Sequence, residues 1–512
     1  MSYSSIIKEN SQLRNYEGEM AYKMSAELEL YSAAVTSMLN DKIYQSYKER
    51  FAQIAELIKK VDPTFVAKLA IYIREEMYLR SIPLFLIVAL AKIHNGNDLV
   101  CKTINRVVMR ADEIMELLIC YQMFNADCKS TKKLNHLSRQ VQNGLKLAFN
   151  KFDEYQFAKY NRNNLEVKLK DALFLVHPKA KDENQQILFD KIALDYLEIP
   201  YTWETELSKV GQIKYSSIEK KNEAKREVWT KLIKERKLGY MAMLRNLRNI
   251  LNVDIDAHTL NIVKRNIQSK DAVLSSKQLP YRFLSAYREI KNVRHPKTGV
   301  LVEALEKAVL YSANNIRYFS EDESVLLACD VSGSMQFTSN KSTIANYDIG
   351  ILLASILKTK CKNVVTGLFG DRWLPLKDDS SSKKKTSNIL EYTDYMHQRA
   401  NVVGYSTNGY KVINWLISHD VKMDKVMFFT DMQMWDSTHC DEHIEKSWKK
   451  YKQKYPKAKL YLFDLDGYGQ LPLRMQNNDV YLISGWSDKI FDMLEAYENG
   501  SNAVEKIKEI EI

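Results

Sequence analysis

Apolar side chains recur at helical spacing through residues 20–320. In stretches such as 65–77, 83–94 and 228–251 they fall at positions i, i+3 and i+4, which predicts amphipathic helices. Only 16 glycines and 9 prolines occur in 512 residues, so few positions interrupt a helix. Many short helices in series, without the heptads of a long coiled coil, predict an all-α solenoid of paired helices.

The pattern changes near residue 319. Five apolar runs of strand length follow, and helical stretches separate most of them; the runs cover residues 325–329, 364–369, 426–429, 460–463 and 480–483. Apolar strands that alternate with helices predict a parallel, doubly wound α/β sheet with both faces covered. The sequence therefore predicts two domains, a helical domain at 1–318 and an α/β domain at 319–512.

The chain is basic, with 75 Lys and Arg against 64 Asp and Glu, a net charge of +11. This excess is compatible with nucleic acid or another anionic partner. The N-terminus lacks the regions of a secretory signal, and the most apolar stretch, 81–93, is too short to cross a bilayer. Six cysteines without CxxC spacing favour reduced thiols. These features predict a cytoplasmic protein that does not enter a membrane.

A candidate cation site begins at the end of the first predicted strand. Asp330, Ser332 and Ser334 form a D-x-S-x-S sequence there, and the carboxyl ends of parallel strands line the ligand crevice of such sheets. Thr407 lies in a later loop, and Asp431 ends another apolar run. A sparse set of hard oxygen ligands suits Mg²⁺ or another divalent cation that keeps part of its water. The alternative is that Asp330 and its neighbours only cap the next helix.

A second candidate site is the basic segment, which we define as residues 128–181. It contains 12 Lys and Arg against 4 Asp and Glu, or +8. Its aromatic and histidine residues include Phe149, Phe152, Tyr155, Phe157, Tyr160, His136 and His177. Lysine and arginine would bind RNA phosphates, and unpaired bases would stack on exposed rings. The alternative is a solvated helix face above aromatic core residues.

The D-x-S-x-S sequence, Thr407 and Asp431, in that order, resemble the metal-ion-dependent adhesion site of von Willebrand A domains. Four local sequences before them resemble the Ro autoantigen family, also called the TROVE family; they are YIREEM at 72–77, AKYNR at 158–162, LVHP at 175–178 and MAMLRNL at 241–247. The resemblance implies a HEAT-like helical ring followed by a Rossmann-like von Willebrand A domain. An acidic side chain of a partner would fill the open position of the metal, which implies binding rather than catalysis.

The same resemblance implies the partners. Small noncoding Y-like RNAs would bind outside the ring, single-stranded ends of misfolded RNAs would enter its hole, and an exoribonuclease would dock through the RNA on a monomeric, non-enzymatic protein. Lys159, Arg162 and His177 fall where family members contact RNA, whereas Arg139 and Lys146 are placed mainly by charge. The lysine- and serine-rich loop at 377–387 has no role in the family pattern.

Three alternatives remain open. The sequence FDLDG at 463–467 resembles the D-x-D loop of haloacid-dehalogenase phosphatases, but it follows a late strand and continues with Tyr468. His439, Cys440 and His443 have side chains that bind metals, although an isolated trio in a polar region indicates surface residues. The third alternative is a helical scaffold whose A domain docks an acidic protein and which does not bind RNA. Titration with structured and single-stranded RNA separates this last alternative from RNA binding.

Overall fold

The chain forms two compact units from discontinuous segments. The α/β unit comprises Met1–Ala52, Gln278–Arg288 and Leu305–Ala503, and the helical unit comprises Gln53–Lys277, Glu289–Ala304 and Val504–Ile512. The structure is a computed structural model that describes residues 13–37, 47–126, 137–161, 166–313, 319, 322–338, 343–376, 388–438, 440–474, 479–486, 490–491, 494 and 502–512.

Helices dominate the described residues up to Ser312. In chain order the helices are α1 (Ala26–Val35), α2 (Tyr47–Ile58), α3 (Pro63–Glu75), α4 (Ser81–Ile93), α5 (Leu99–Val107), α6 (Asp112–Ala126), α7 (Arg139–Phe149), α8 (Glu154–Tyr160), α9 (Leu169–Val176), α10 (Glu183–Ala193), α11 (Trp203–Gln212), α12 (Ile218–Lys234), α13 (Tyr240–Asn252), α14 (Ala257–Ile267), α15 (Lys270–Ser276), α16 (Pro280–Ile290), α17 (Thr298–Ser312), α18 (Asn346–Lys358), α19 (Ile389–His397), α20 (Tyr410–Ser418), α21 (Ile444–Lys454) and α22 (Ala503–Lys508). The strands are β1 (Leu13–Arg14), β2 (Met20–Lys23), β3 (Ser324–Asp330), β4 (Asn363–Phe369), β5 (Trp373–Leu376), β6 (Lys425–Thr430), β7 (Lys459–Asp464), β8 (Gln470–Leu471) and β9 (Val480–Ser484).

The helical unit confirms the predicted all-α region. α3 begins where Asp62 accepts hydrogen bonds from the N–H groups of Thr64 and Phe65, with a proline in the first helical position. α4 is buried from Ile82 to Ala91, as expected for a core helix. In the part of the chain that the structure describes, no helix is long and apolar enough to cross a membrane.

The predicted helix over 228–251 is wrong as a single element. Its residues belong to two helices, α12 and α13. Between them Arg236 adopts a positive φ of 56° and Gly239 forms the N-cap of α13. Both helices carry apolar residues at the same spacing, so the periodicity alone did not show the turn.

The α/β unit is built on a six-stranded sheet in the order β5-β4-β3-β6-β7-β9. All neighbours are parallel except β5, which pairs antiparallel with β4. β4 and β6 flank β3 on opposite sides, so the chain changes direction across the sheet at the carboxyl end of β3. The doubly wound α/β sheet is thus confirmed. The edge strand β5 was not predicted, because it is short and contains Pro375, which an edge strand tolerates.

Helices cover both faces of this sheet. On one face Leu416 of α20 and Trp448 of α21 share a buried cluster with Leu326 of β3. On the other face α18 lies close to the strands because it contains Gly350. A methyl group at that position would lie 3.1 Å from Cβ of Phe429, so a larger residue would push the helix away.

The N-terminal segment also belongs to the α/β unit. β2 pairs antiparallel with β8, with Tyr22 opposite Leu471. Ser32 of α1 donates a hydrogen bond of 2.5 Å to Asp464 at the end of β7. The domain boundary between residues 318 and 319 stays a prediction. The six-stranded sheet begins after it, but the compact α/β unit also includes the earlier segments Met1–Ala52 and Gln278–Arg288.

Candidate metal centre and nucleic-acid interface

The D-x-S-x-S sequence forms a buried turn at the carboxyl end of β3. Asp330 accepts a hydrogen bond of 2.6 Å from the Thr430 hydroxyl on one oxygen and of 2.9 Å from the Ser332 N–H on the other. The Ser332 and Ser334 hydroxyl oxygens lie 3.3 Å apart. Burial raises the pKa of Asp330 to about 6, against the effect of these hydrogen bonds. The turn thus holds one carboxylate and two hydroxyls together.

Asp431 lies next to this turn, directly after β6. One of its oxygens accepts a hydrogen bond of 3.0 Å from the Gln433 N–H, while Oδ2 is buried and has no hydrogen-bond partner among the described residues. Burial and the charges of Asp330 and Asp466 raise the pKa of Asp431 well above its usual range, although the Ser334 hydroxyl opposes the shift. A cation would reduce the repulsion between these carboxylates and would give Oδ2 of Asp431 a partner. The residues therefore fit a metal ion.

Thr407 is brought to the same place by the loop before α20. Gly404 turns this loop with a φ of 83°, and the Gly333 N–H donates to the Tyr405 carbonyl across 2.8 Å. The Trp435 N–H donates to the Thr407 carbonyl across 3.2 Å. The side chain of Thr407 is buried. All five predicted metal-site residues are therefore described at the carboxyl end of the sheet.

An open cavity of about 400 Å³ lies over this site. Ser334 and Thr407 line it together with Gly333, Tyr405, Ser406 and Trp435 and the acidic residues Glu17 and Asp371. No group of three or more His, Cys, Asp and Glu side chains in the described ranges is arranged to hold a metal. A cation would therefore need the serine and threonine oxygens. Sequence inspection missed Glu17 and Asp371, because neither belongs to a motif.

The phosphatase alternative does not fit the geometry at the end of β7. Asp464 would be the nucleophile, but it is fully buried and both of its oxygens accept hydrogen bonds. One accepts from the Ser32 hydroxyl at 2.5 Å, and the other accepts from the N–H groups of Asp466 at 3.0 Å and Gly467 at 2.7 Å. This carboxylate closes a turn and is not available to attack phosphorus.

The histidine–cysteine trio has ordinary structural roles where it is described. His443 is the N-cap of α21, and its Nδ1 accepts a hydrogen bond of 3.2 Å from the Lys446 N–H. Cys440 is exposed and donates to the Thr438 carbonyl. His439 lies outside the described residues. These contacts agree with surface residues.

The predicted RNA-binding residues occupy α7, α8 and the end of α9. Arg139, Lys159 and His177 are exposed, and Lys146 is half-buried. His177 adopts a left-handed conformation with a φ of 49° at the C-cap of α9, which ends the helix before Pro178. Arg162 and His136 lie outside the described residues, so the RNA contact of Arg162 stays a prediction.

The expectation of stacking rings in the basic segment is wrong for three of its phenylalanines. Phe149, Phe152 and Phe157 are buried, and Phe157 lies 5.7 Å from Phe149 and 5.8 Å from Phe152 between ring centroids. They form a core beneath the helices, as the alternative held. Tyr160 is half-buried under the guanidinium of Arg110, 4.6 Å from the ring centroid. Two Phe or Tyr rings of the described part of the segment are exposed, Tyr155 at 47% and Phe174 at 52%.

Comparisons with known proteins match two family models to different parts of the chain. A family model described as the TROVE domain matches residues 20–199 and 195–300, which together exceed half of the 512 residues. A second model, described as the Ro60 vWA domain, matches residues 324–497.

Individual relatives are distant. Telomerase protein component 1 from Mus musculus is 24% identical over 346 residues, and the protein of the same name from Rattus norvegicus is 23% identical over 343 residues. These matches cover 52% of this chain but only 13% and 12% of the relatives, so the chain spans a small part of each.

A solved structure shares the fold. The crystal structure of the Deinococcus radiodurans Ro (RSR) protein superimposes with a TM-score of 0.58 at 17% identity, covering 93% of this chain and all of that one. At this identity the likeness shows the fold alone. Together with the two family models, it shows that the chain belongs to the Ro family of TROVE-domain proteins, with a C-terminal von Willebrand A domain.

Proposed function

We propose that this chain is a cytoplasmic, monomeric RNA-binding component of a ribonucleoprotein. It binds small noncoding Y-like RNAs and single-stranded ends of misfolded RNAs, and serves as a scaffold or quality-control factor. Membership of the Ro and TROVE family implies an RNA partner. The observation that carries the proposal is that the TROVE match contains a basic segment whose Arg139, Lys159 and His177 are exposed.

These side chains are suited to phosphates. The Lys159 ammonium lies 5.8 Å from the ring centroid of Tyr155 and 5.7 Å from that of Tyr160, so charge and an exposed ring stand side by side. A phosphate would bind the ammonium while the neighbouring base stacks on Tyr155. In contrast, Lys151 donates to the carbonyls of Asn105 and Val108 and is occupied within the fold.

The α/β unit has a different role in this proposal. Asp330, Ser332, Ser334, Thr407 and Asp431 would hold Mg²⁺, which supplies an open coordination position for an acidic side chain. Such a site docks a protein and does not require a nucleophile or a general base. The protein therefore acts by binding and not as an enzyme.

A filter-binding titration tests the RNA role. We expect a Y-like RNA and a single-stranded RNA to bind the full chain, with an affinity that falls as salt rises because bound counterions are released. Arg139→Ala/Lys159→Ala should weaken binding and flatten the salt dependence by about 0.7–0.9 in log–log slope per lost phosphate contact.

The matched control is Lys422→Ala/Lys457→Ala, which removes two exposed charges from the α/β unit. It should bind RNA as the native chain does. Equal losses in both double variants would mean that only net charge matters. Absence of RNA binding by the native chain would favour the scaffold alternative.

A further inference from the structure

A carboxylate from the N-terminal end of the chain reaches the cavity over the metal site. Glu17 lies in the turn between β1 and β2, yet it lines the same cavity as Ser334 and Thr407. The side chain is half-buried. Because the residue precedes the whole helical unit in sequence, its position follows from tertiary structure alone.

The turn that carries Glu17 is a defined structure. We call residues 15–19 the acidic turn. Asn15 is 6% exposed, and its Oδ1 accepts hydrogen bonds from the N–H groups of Glu17 at 3.1 Å and Glu19 at 2.9 Å. Gly18 provides the positive φ of 86° that the turn requires. The backbone of Glu17 is thus held in place.

The acidic turn is bonded to the loop that contains the metal-site carboxylate. Asn15 donates to the Met434 carbonyl across 2.8 Å, and the Tyr16 N–H donates to the Gln433 side-chain oxygen across 2.8 Å. The Gln433 N–H in turn donates to Asp431 across 3.0 Å. A chain of two hydrogen bonds therefore connects the acidic turn to Asp431.

The negative charge of the cavity does not favour binding of an acidic side chain from a partner protein. Glu17 and Asp371 both line it, and none of the described residues that line it is basic. Asp371 is already engaged by the Ser406 N–H at 2.9 Å. An incoming carboxylate would meet two negative charges, whereas Glu17 is already present at the site.

We infer that Glu17 is the acidic ligand that this chain provides for its own metal site. This inference rests on the metal site of the proposed function. Glu17 supports a cation held by the residues at the ends of β3 and β6, and it competes with acidic side chains of partners. An acidic side chain of a partner could then bind the metal only if Glu17 moved away from it.

Mn²⁺ binding to the full chain tests the inference, with Mg²⁺ titrations in parallel. Glu17→Gln keeps the size of the side chain and removes its charge. We expect it to weaken Mn²⁺ binding by about 10- to 100-fold, the range found when a group that supports a metal site is removed. Water proton relaxation should show more exchangeable water on Mn²⁺. Acetate, as a simple carboxylate, should bind the Mn²⁺-loaded variant more tightly than the loaded native chain.

Glu19→Gln is the matched control, because it removes an equal charge from the same turn. Glu19 lines a separate small cavity with Gly409 and Tyr410, so this variant should bind Mn²⁺ and acetate as the native chain does. If Glu17→Gln binds Mn²⁺ with native affinity and native relaxation, Glu17 is not a ligand and the inference is overturned. If the native chain binds no Mn²⁺ at all, the proposed metal site fails and the inference fails with it.

Discussion

The guanidinium Nη2 of Arg74 lies 2.8 Å from Oε1 of Glu113 in the core of the helical unit, where Glu113 is fully buried. The second oxygen of Glu113 accepts hydrogen bonds from the N–H groups of Met109 at 2.8 Å and Arg110 at 3.1 Å. This pair explains the arginine of the YIREEM sequence: it joins α3 to the start of α6 and has a structural role. A buried charge that loses its partner is costly, so the pair should be important for stability.

Glu113→Gln should lower the free energy of unfolding by about 3–5 kcal/mol, because the Arg74 charge stays buried without its counterion. Urea unfolding of the full chain, followed by circular dichroism, measures the change. Glu56→Gln is the control, since Glu56 pairs with Lys59 at the surface and its loss should leave the unfolding midpoint unchanged. Equal midpoints for Glu113→Gln and the native chain would show that the pair contributes little.

Asp348 should make the α/β unit sensitive to acid. Although burial opposes ionisation, hydrogen bonds from Arg288 and His397 lower the pKa of Asp348, and Arg288 contacts both carboxylate oxygens at 2.7 Å. The unfolded pKa is about 3.9, so this stabilisation is complete above about pH 5. It is lost progressively as the pH falls through the lower folded value. Asp348→Asn should remove that part of the pH dependence, as measured by thermal unfolding from pH 5 to 3. The exposed Asp441→Asn should retain it.

Asp330 should have the opposite effect on the metal-free protein. Its folded pKa of about 6 lies above the unfolded value, so the folded chain gains stability as the pH falls from 7 through 6 towards 4. Asp330→Asn should therefore stabilise the metal-free chain at neutral pH by about 2–3 kcal/mol. Mg²⁺ should raise the melting temperature of the native chain but not of the variant, and native Mg²⁺ affinity should fall below pH 6. A variant that Mg²⁺ still stabilises would contradict the assignment.

RNA affinity should be independent of that substitution, because the basic segment belongs to the helical unit. Filter binding of Asp330→Asn should give the native dissociation constant for RNA at each salt concentration. A large loss of affinity in the folded variant would place RNA contacts at the α/β unit. The RNA-binding site and the metal site would then not be independent of each other.

Tyr155 and Phe157 should separate stacking from packing. Tyr155→Ala should weaken single-stranded RNA binding by about 1–3 kcal/mol, as for the loss of one base stack, with an unchanged unfolding midpoint. Phe157→Ala should instead lower stability by about 3–5 kcal/mol, because it opens a cavity beside Phe149. Fluorescence titration and urea unfolding of both variants provide the comparison. Native RNA affinity in Tyr155→Ala would exclude a stacking role for Tyr155.

The position of the candidate metal-site residues at the carboxyl end of the sheet could be predicted, because it follows from local sequence patterns. Asp330 and Asp431 follow apolar strands, and parallel strands bring such ends together. Glu17 could not be predicted, because its position depends on pairing between β2 and β8 at opposite ends of the chain. The burial of Phe149, Phe152 and Phe157 could not be predicted for another reason. A basic helix contains alternating charged and apolar residues whether its rings face RNA or a core.

The hydrogen bond between Ser484 and Ser32, with an oxygen–oxygen distance of 3.0 Å, has a consequence for biosynthesis, since 452 residues separate the two. At roughly 5–20 residues per second, a ribosome needs roughly 20–90 s to make the intervening chain. The N-terminal hairpin and α1 must wait that long for their partners, so the α/β unit completes its folding only after residue 484 has been made. A fragment that starts at residue 319 would also lack these elements and expose the surfaces of β8 and β9 that they cover.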